Sequence, residues 1–147
     1  MKKAKVKKPR NKQLQIKAEK IWKEICLLRD GRECQVKKNF PELNISHSEI
    51  IQVDHLIERG WKRTFVEIAN GTVVCSYCNS NKRYNSAIAK AIETIRRNRE
   101  GDDVIDLMFE ERGRGTAFVE WSRVGWLEDK IDVLENIRDN LKRGVYV

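Results

Sequence analysis

The sequence predicts an α+β protein in which a short β-hairpin and the helix after it are embedded between N- and C-terminal helices. Two observations carry this prediction. Residues 49–57 are rich in β-branched side chains, and the short apolar run 72–74 follows after a loop, which is typical of two paired strands. Apolar residues recur at three- and four-residue steps in residues 14–29, about 80–99 and 126–143, which indicates three amphipathic helices.

The chain begins with a strongly basic segment. Residues 1–12 contain seven lysine or arginine residues and no acidic residue, a composition that favours disorder in isolation. We interpret this segment as an arm that binds nucleic-acid phosphates, and a solubilising tail is the alternative.

The helix at 14–29 follows, and Asp30-Gly31 is expected to end it. Residues 32–48 carry turn-forming asparagines and a proline and are predicted to be irregular.

The predicted core covers residues 13–100, in the order helix, strand, loop, strand, helix. The polar residues of this region converge where the strands meet the helix. Residues 101–147 form a C-terminal extension with a short helix at 103–111 and a flexible basic break at 112–115, followed by the last helix. We expect the extension to pack on the core, and a homodimer interface is the alternative.

The composition narrows the possible classes of protein. A chain of 147 residues forms one domain, and 30 Lys and Arg against 22 Asp and Glu give a net charge of +8. No apolar run approaches the roughly 20 residues that span a bilayer, and the basic start lacks the apolar centre of a secretory signal. Four cysteines, two of them in a CxxC, fit a reducing compartment better than a disulfide scaffold. We therefore expect a cytoplasmic protein that binds no membrane, and the basic excess favours an acidic partner such as a nucleic acid.

Four polar residues between positions 54 and 79 form the most informative motif. Asp54 and His55 end the first predicted strand, Asn70 precedes the second, and Asn79 opens the following helix. Carboxylate and amide oxygens suit Mg²⁺ or Mn²⁺, which can stabilise the charge that develops on a phosphodiester during hydrolysis. A histidine is a suitable base for a water molecule near neutral pH. Asn70 could orient its ring through the side chain or the backbone carbonyl.

These residues resemble the HNH endonucleases of the ββα-metal class, in an HNN form made of His55, Asn70 and Asn79. The resemblance covers roughly residues 29 to 86. It implies a divalent-metal-dependent nuclease in which His55 is the general base. It also implies that Asp54 and Asn79 bind the catalytic metal ion and that Asn70 orients His55.

A finer resemblance is carried by Cys78-Asn79-x-x-Lys82-x-x-Asn85, which is similar to a stretch of the Rap/NinG recombination nucleases of bacteriophages. This resemblance implies branched DNA, such as Holliday junctions, as the substrate, and paired cuts of that kind would call for a dimer. It implies that Lys82 contacts a phosphate and that Asn85 supports the site. Ordinary polar residues in the first turn of a helix are the alternative for both.

Relatives with this fold often hold structural zinc between two CxxC motifs, and this chain keeps only the second, Cys75 and Cys78. The first motif would begin at Cys34, but its second cysteine is replaced by Lys37. Three possibilities follow. Zinc could be held by Cys34, Cys75 and Cys78 with a fourth ligand, His47 or Cys26. Zinc could be absent, with the cysteines buried as small apolar residues. Lys37 could also replace the metal by lying against thiolates.

Several basic residues near the motif are candidates for contacts with the DNA backbone, which would give weak sequence specificity. They are Arg59, Lys62 and Arg63 in the loop between the strands, and Arg83 and Asn85 at the following helix. Trp61 could stack on an exposed base, but anchoring the loop is preferred. The arginines at 96, 97 and 99 are interpreted as complementing the helix dipole.

A basic nucleic-acid-binding module without catalysis is the competing function. It would explain the charge and the CxxC motif but leaves Asp54-His55 and Asn79 unexplained.

Overall fold

The computed structural model describes residues 6–145 and confirms the α+β class. Its helices are α1 (Arg10–Asp30), α2 (Gln35–Asn39), α3 (Ser76–Asn81), α4 (Ser86–Glu100), α5 (Asp102–Gly113) and α6 (Val124–Lys142). Its strands are β1 (Ile51–His55) and β2 (Gly71–Cys75), and short 3-10 helices occupy Ile68–Asn70 and Val119–Ser122. Within the described residues, no helix has the length and apolarity needed to cross a membrane.

The two strands form an antiparallel hairpin in which Ile51 pairs with Cys75 and His55 pairs with Gly71. β1 is shorter than the predicted strand 49–57. The Leu56 N–H still donates in the same register to the backbone carbonyl of Asn70 over 2.9 Å, and the chain then enters the inter-strand loop. The strand pair therefore ends at the residues that carry the motif.

The main core lies between the hairpin, α1 and α6. Buried apolar side chains of α1, including Ile21, Trp22 and Ile25, pack against Leu127 and Ile131 of α6. The last helix therefore packs on α1. Helix α1 begins at Arg10, so the last residues of the predicted basic arm are helical. Positions 1–5 of that arm lie outside the described residues.

Gly71 lets β2 approach α1 closely. A Cβ atom at this position would lie 2.8 Å from a ring carbon of Trp22 and closer still to the sulfur of Cys26, distances that van der Waals contact does not allow. Because Gly71 pairs with His55 across the hairpin, this contact fixes how near the histidine lies to α1.

A second cluster joins α2 to the hairpin and α4, with Val36, Val74 and Ile88 among its buried members. Helix α2 lies within residues 32–48, which were expected to be irregular. A third, smaller cluster packs Ile57 of the inter-strand loop on α5, with Trp61 partly buried against it.

The single helix predicted for about 80–99 is two helices separated by residues 82–85. Asn85 is the N-cap of α4: its side-chain oxygen accepts hydrogen bonds from the backbone N–H groups of Ala87 and Ile88, at 3.0 and 3.3 Å. Such a cap satisfies donors that the first helical turn leaves without partners. The structure therefore gives Asn85 a capping role, and its side chain is not part of the cleft described below.

Candidate functional site

A cleft of about 790 Å³ opens where the end of β1 meets α3 and the turn after it. It is lined by the predicted site residues Asp54, His55, Arg59, Asn79, Lys82 and Arg83, together with neighbours that include Glu58 and Tyr84. The other residues predicted for catalysis or DNA binding, Asn70, Lys62, Arg63 and Asn85, do not line it, and neither do the three predicted zinc ligands Cys34, Cys75 and Cys78. The structure thus brings the Asp-His pair and the second asparagine to one concave surface.

Asp54 is 1% exposed and is held by two cationic side chains. Its Oδ2 accepts a hydrogen bond of 2.7 Å from Nη2 of Arg96, and the ammonium of Lys82 binds its Oδ1. Lys82, predicted to contact a phosphate, therefore lies on the carboxylate that was predicted to bind metal. Both charges compensate the cost of burying the carboxylate.

Arg96 is a site residue that the sequence interpretation missed. It is 1% exposed and also donates to the backbone carbonyl of Asp54 over 3.0 Å. Burial lowers the pKa of its guanidinium, and the Asp54 carboxylate counteracts that effect. A signal was present in the sequence, since Ile88, Ile92 and Arg96 follow one another at four-residue steps and therefore share the buried face of α4.

His55 leaves the opposite face of β1, as consecutive strand residues do. Its imidazole is stacked between Trp22 and Phe65, with centroid distances of 4.4 and 5.0 Å, and it is 9% exposed. Burial, followed by the positive charge of Arg59, lowers its pKa to about 4. The ring is therefore neutral at pH 7. Nε2 is enclosed without a hydrogen-bond partner, which leaves Nδ1 as the nitrogen for a water molecule of the cleft.

Asn79 is half-buried in α3, and its side-chain nitrogen donates to Oε1 of Gln52 over 2.8 Å. This bond directs its carbonyl oxygen away from Gln52 and leaves that oxygen for a ligand. Among residues 6–145, no hydrogen bond joins the side chains of Asp54, His55 and Asn79 to one another. They share a cleft without forming a compact cluster.

Asn70 is fully buried. It was expected to orient the His55 ring, but its side chain bonds to the backbone instead. Its Oδ1 accepts from the Ile57 N–H over 2.7 Å, and its Nδ2 donates to the carbonyls of Ile57 and Thr64 over 3.2 and 3.1 Å. These bonds tie the last residue of the inter-strand loop to its beginning at Ile57 and to its middle at Thr64. Asn70 therefore acts on His55 through the backbone that follows it.

The basic residues of the inter-strand loop lie over aromatic rings. Nζ of Lys62 is 3.9 Å from the centroid of Phe65, and Arg63 forms an ion pair of 3.3 Å with Glu111. Arg59 pairs with Glu19 over 2.7 Å. Burial lowers the pKa of Lys62. Arg83 is exposed and forms no ion pair with any residue from 6 to 145. Of the basic residues predicted to contact DNA, it is therefore the one whose charge is most accessible to a phosphate.

Three cysteines and the second histidine converge on the other side of α3. The ligand atoms of Cys34, His47, Cys75 and Cys78 all lie within 4.8 Å of one another. Sγ of Cys34 is 3.8 Å from Sγ of Cys78, and Nδ1 of His47 is 3.5 Å from the sulfurs of Cys75 and Cys78. With Zn–S of about 2.3 Å and Zn–N of about 2.0–2.1 Å, the ligands of a tetrahedral zinc ion lie about 3.5–3.8 Å apart. The four residues could hold a metal ion, and a structural Zn²⁺ fits them.

The surroundings of the thiols favour His47 as the fourth ligand over the alternatives. Burial opposes ionisation of Cys75, but hydrogen bonds from the Cys78 backbone N–H and from His47 outweigh it and lower the pKa of Cys75 to about 6. Cys26 lies in the main core, where burial raises its pKa to about 11. Lys37, the third possibility, is exposed, and the cluster of four ligand atoms forms without it.

Searches of protein-family models, of curated proteins and of solved structures with this chain find no match.

Proposed function

We propose that this protein is a DNA endonuclease of the HNH type that depends on Mg²⁺ or Mn²⁺. One observation supports the proposal most: the cleft at the hairpin–helix junction is lined by Asp54, His55 and Asn79 together with basic side chains. Hard oxygen donors, a neutral imidazole and cationic groups are what metal-assisted phosphodiester hydrolysis requires.

Asp54 and Asn79 would hold the metal ion, which supplies Lewis-acid stabilisation of charge on the phosphate when bound. Arg96 fixes Oδ2 of Asp54, so Oδ1 is the oxygen that faces the cleft. Lys82 binds that oxygen. A cation held at Oδ1 would share this oxygen with Lys82, whose ammonium could then contact a phosphate oxygen in the cleft.

His55 would take the proton from the attacking water. Its lowered pKa keeps the imidazole unprotonated at neutral pH, and Trp22 and Phe65 restrict the ring to one plane. With Nε2 enclosed, Nδ1 is the atom that accepts the proton. Asn70 keeps the backbone after His55 in place through Ile57.

A structural zinc ion at Cys34, His47, Cys75 and Cys78 would stabilise the elements that position the metal ligand Asn79 in the cleft. Asn79 directly follows Cys78, and β2 ends at Cys75. Zinc would therefore join α2, β2 and α3 and fix the position of Asn79 relative to β1. This role is structural and separate from that of the catalytic ion.

The test is cleavage of supercoiled plasmid and of a four-way junction by the zinc-loaded protein with Mg²⁺ or Mn²⁺. We expect cleavage by the wild type and none by His55→Ala, while the affinity for DNA in a gel-shift assay stays near the wild-type value. Absence of metal-dependent cleavage of duplex, single-stranded and branched DNA by the wild type would refute the proposal. Comparison of the junction with its linear duplex arms separates branched-DNA cleavage, as in phage recombination, from general cleavage.

A basic DNA-binding module without catalysis is the second candidate. The stacking of His55 between two aromatic rings favours it, since such a ring also serves as core packing. In that case His55→Ala lowers stability, and the wild type binds DNA but leaves it intact at every metal concentration.

A further inference from the structure

Tyr84 lies at the edge of the cleft with 86% of its surface exposed, the largest value for any aromatic side chain among the described residues. Aromatic rings normally bury most of their area in the core or at an interface. The other tyrosine of this region, Tyr77 in α3, is 39% exposed and does not line the cleft. The exposure of Tyr84 thus coincides with the proposed site.

The backbone under Tyr84 is well fixed. Its N–H donates to the carbonyl of Asn81 over 2.9 Å, and the N–H of Asn85 donates to the same carbonyl over 2.9 Å. Asn85 then caps α4 through its side chain. The ring is therefore held out from a short turn between two helices, and ordering it against a ligand costs only its own side-chain rotations.

The charges beside Tyr84 suit a nucleic-acid strand. Arg83, its neighbour in the chain, is exposed and has no ion-pair partner among residues 6–145. Lys82 lies deeper, on Asp54. A cation next to an exposed ring matches the alternation of phosphate and base along a single strand, where aromatic stacking is largely independent of sequence.

We propose that Tyr84 stacks on an unpaired base of the DNA strand that enters the cleft, while Arg83 binds an adjacent phosphate. This inference rests on the proposed function. Bases inside a duplex are covered by their neighbours and offer no free face. The site is therefore selective for DNA that carries unpaired nucleotides beside the bond to be cut, such as gaps and forks with unpaired arms.

Binding, measured without cleavage, tests this selectivity. The protein is the zinc-loaded His55→Ala variant without divalent cation, and the ligands are a forked DNA with unpaired arms and a fully paired duplex of equal length. Adding Tyr84→Ala is expected to weaken binding to the fork by roughly 5-fold to 100-fold and to leave duplex binding unchanged. A 2-aminopurine base placed in the unpaired arm should lose its quenching in the same variant.

Two further variants make the result specific. Tyr84→Trp should retain fork binding, since the larger ring also stacks, and Tyr77→Ala should bind like the parent because it lies outside the cleft. Equal weakening of fork and duplex by Tyr84→Ala, no weakening of either, or no fork binding by the parent overturns the inference. Selective loss of fork binding in a protein that cleaves no DNA would uphold Tyr84 as a base-stacking residue and remove only the nuclease function.

Discussion

Arg96 and Asp54 form an ion pair in the interior of the protein, with Nη2 of Arg96 2.7 Å from Oδ2 and 3.0 Å from the backbone carbonyl of Asp54. Both side chains are almost fully buried. The pair joins α4 to the last residues of β1, and it leaves Oδ1 of Asp54 to Lys82 at the floor of the cleft. The orientation of the carboxylate is therefore set by a residue 42 positions away in the chain.

Arg96→Met should destabilise the protein by about 3–5 kcal/mol, because it removes the buried one of the two cations that compensate the Asp54 carboxylate and leaves only the partly exposed Lys82. Urea unfolding at neutral pH, followed by circular dichroism, measures the change in the free energy of unfolding. Arg97→Met is the matched control, since Arg97 lies next in the helix but pairs at the surface with Glu93. It should change stability far less, and equal effects of the two variants would contradict the assigned role of the buried pair.

The hairpin and the long helices could be predicted because their signals are local. β-Branched runs define β1 and β2, and apolar residues at helical steps define α1 and α6. Helix α2 spans five residues, too few to show a period. The break at residues 82–85 depends on the cap made by Asn85, and an apolar stripe that begins only at Ala87 does not reveal where the helix before it ends.

The members of the cleft could be predicted in the same way, because Asp54, His55 and Asn79 lie at the ends of local elements. Their partners could not. Trp22 and Phe65 reach His55 only through packing of α1 and the inter-strand loop on β1. His47 was one of two candidates for the fourth zinc ligand, and only the fold decides between them, because it brings His47 to the three cysteines and places Cys26 in the main core. The sequence therefore indicates the participating residues, while tertiary packing decides their hydrogen bonds and pKa values.

Acid should destabilise the protein through His55. Its pKa is about 4 in the folded state and 6.5 without the protein environment, so between these values the unfolded chain binds a proton that the folded chain does not. Stability that is fully present above pH 6.5 is lost as the pH falls towards about 4, by up to about 3 kcal/mol.

Urea unfolding of the wild type and of His55→Gln at several pH values isolates this contribution from that of the carboxylates. The variant should show a shallower loss of stability on acidification. NMR titration of the ring offers a direct check, and a His55 pKa near 6.5 in the folded protein would refute the assignment.

Purified protein should contain about one zinc ion per chain, because the four ligand atoms lie within 4.8 Å of one another and the three distances of 3.5–3.8 Å match those between the ligands of tetrahedral zinc. Mass spectrometry of the native protein and elemental analysis measure the content. Cys78→Ser should reduce zinc content and thermal stability, whereas Cys26→Ser should keep the zinc, since Cys26 lies in the main core. Full zinc content in Cys78→Ser would place the ion elsewhere. Acidification should release the metal as its ligands take up protons.

Lys82→Met should strengthen the binding of Mn²⁺ to the cleft. Lys82 occupies Oδ1 of Asp54 in the structure, and two unit charges about 4 Å apart near a protein surface interact by about 4 kcal/mol. Without the ammonium, a divalent cation no longer competes with Lys82 for Oδ1 and is repelled less, so its affinity should rise at least about tenfold.

Calorimetric titration of the zinc-loaded protein with Mn²⁺, without DNA, measures that affinity independently of cleavage. Lys90→Met provides the control, because Lys90 is an exposed lysine of α4 that does not line the cleft, and its affinity should stay at the wild-type value. Asp54→Asn should weaken binding, since it removes the charged ligand. Unchanged or weaker binding of Mn²⁺ by Lys82→Met would mean that the cation does not use Oδ1 of Asp54, and the metal-binding role of that carboxylate would then have to be abandoned.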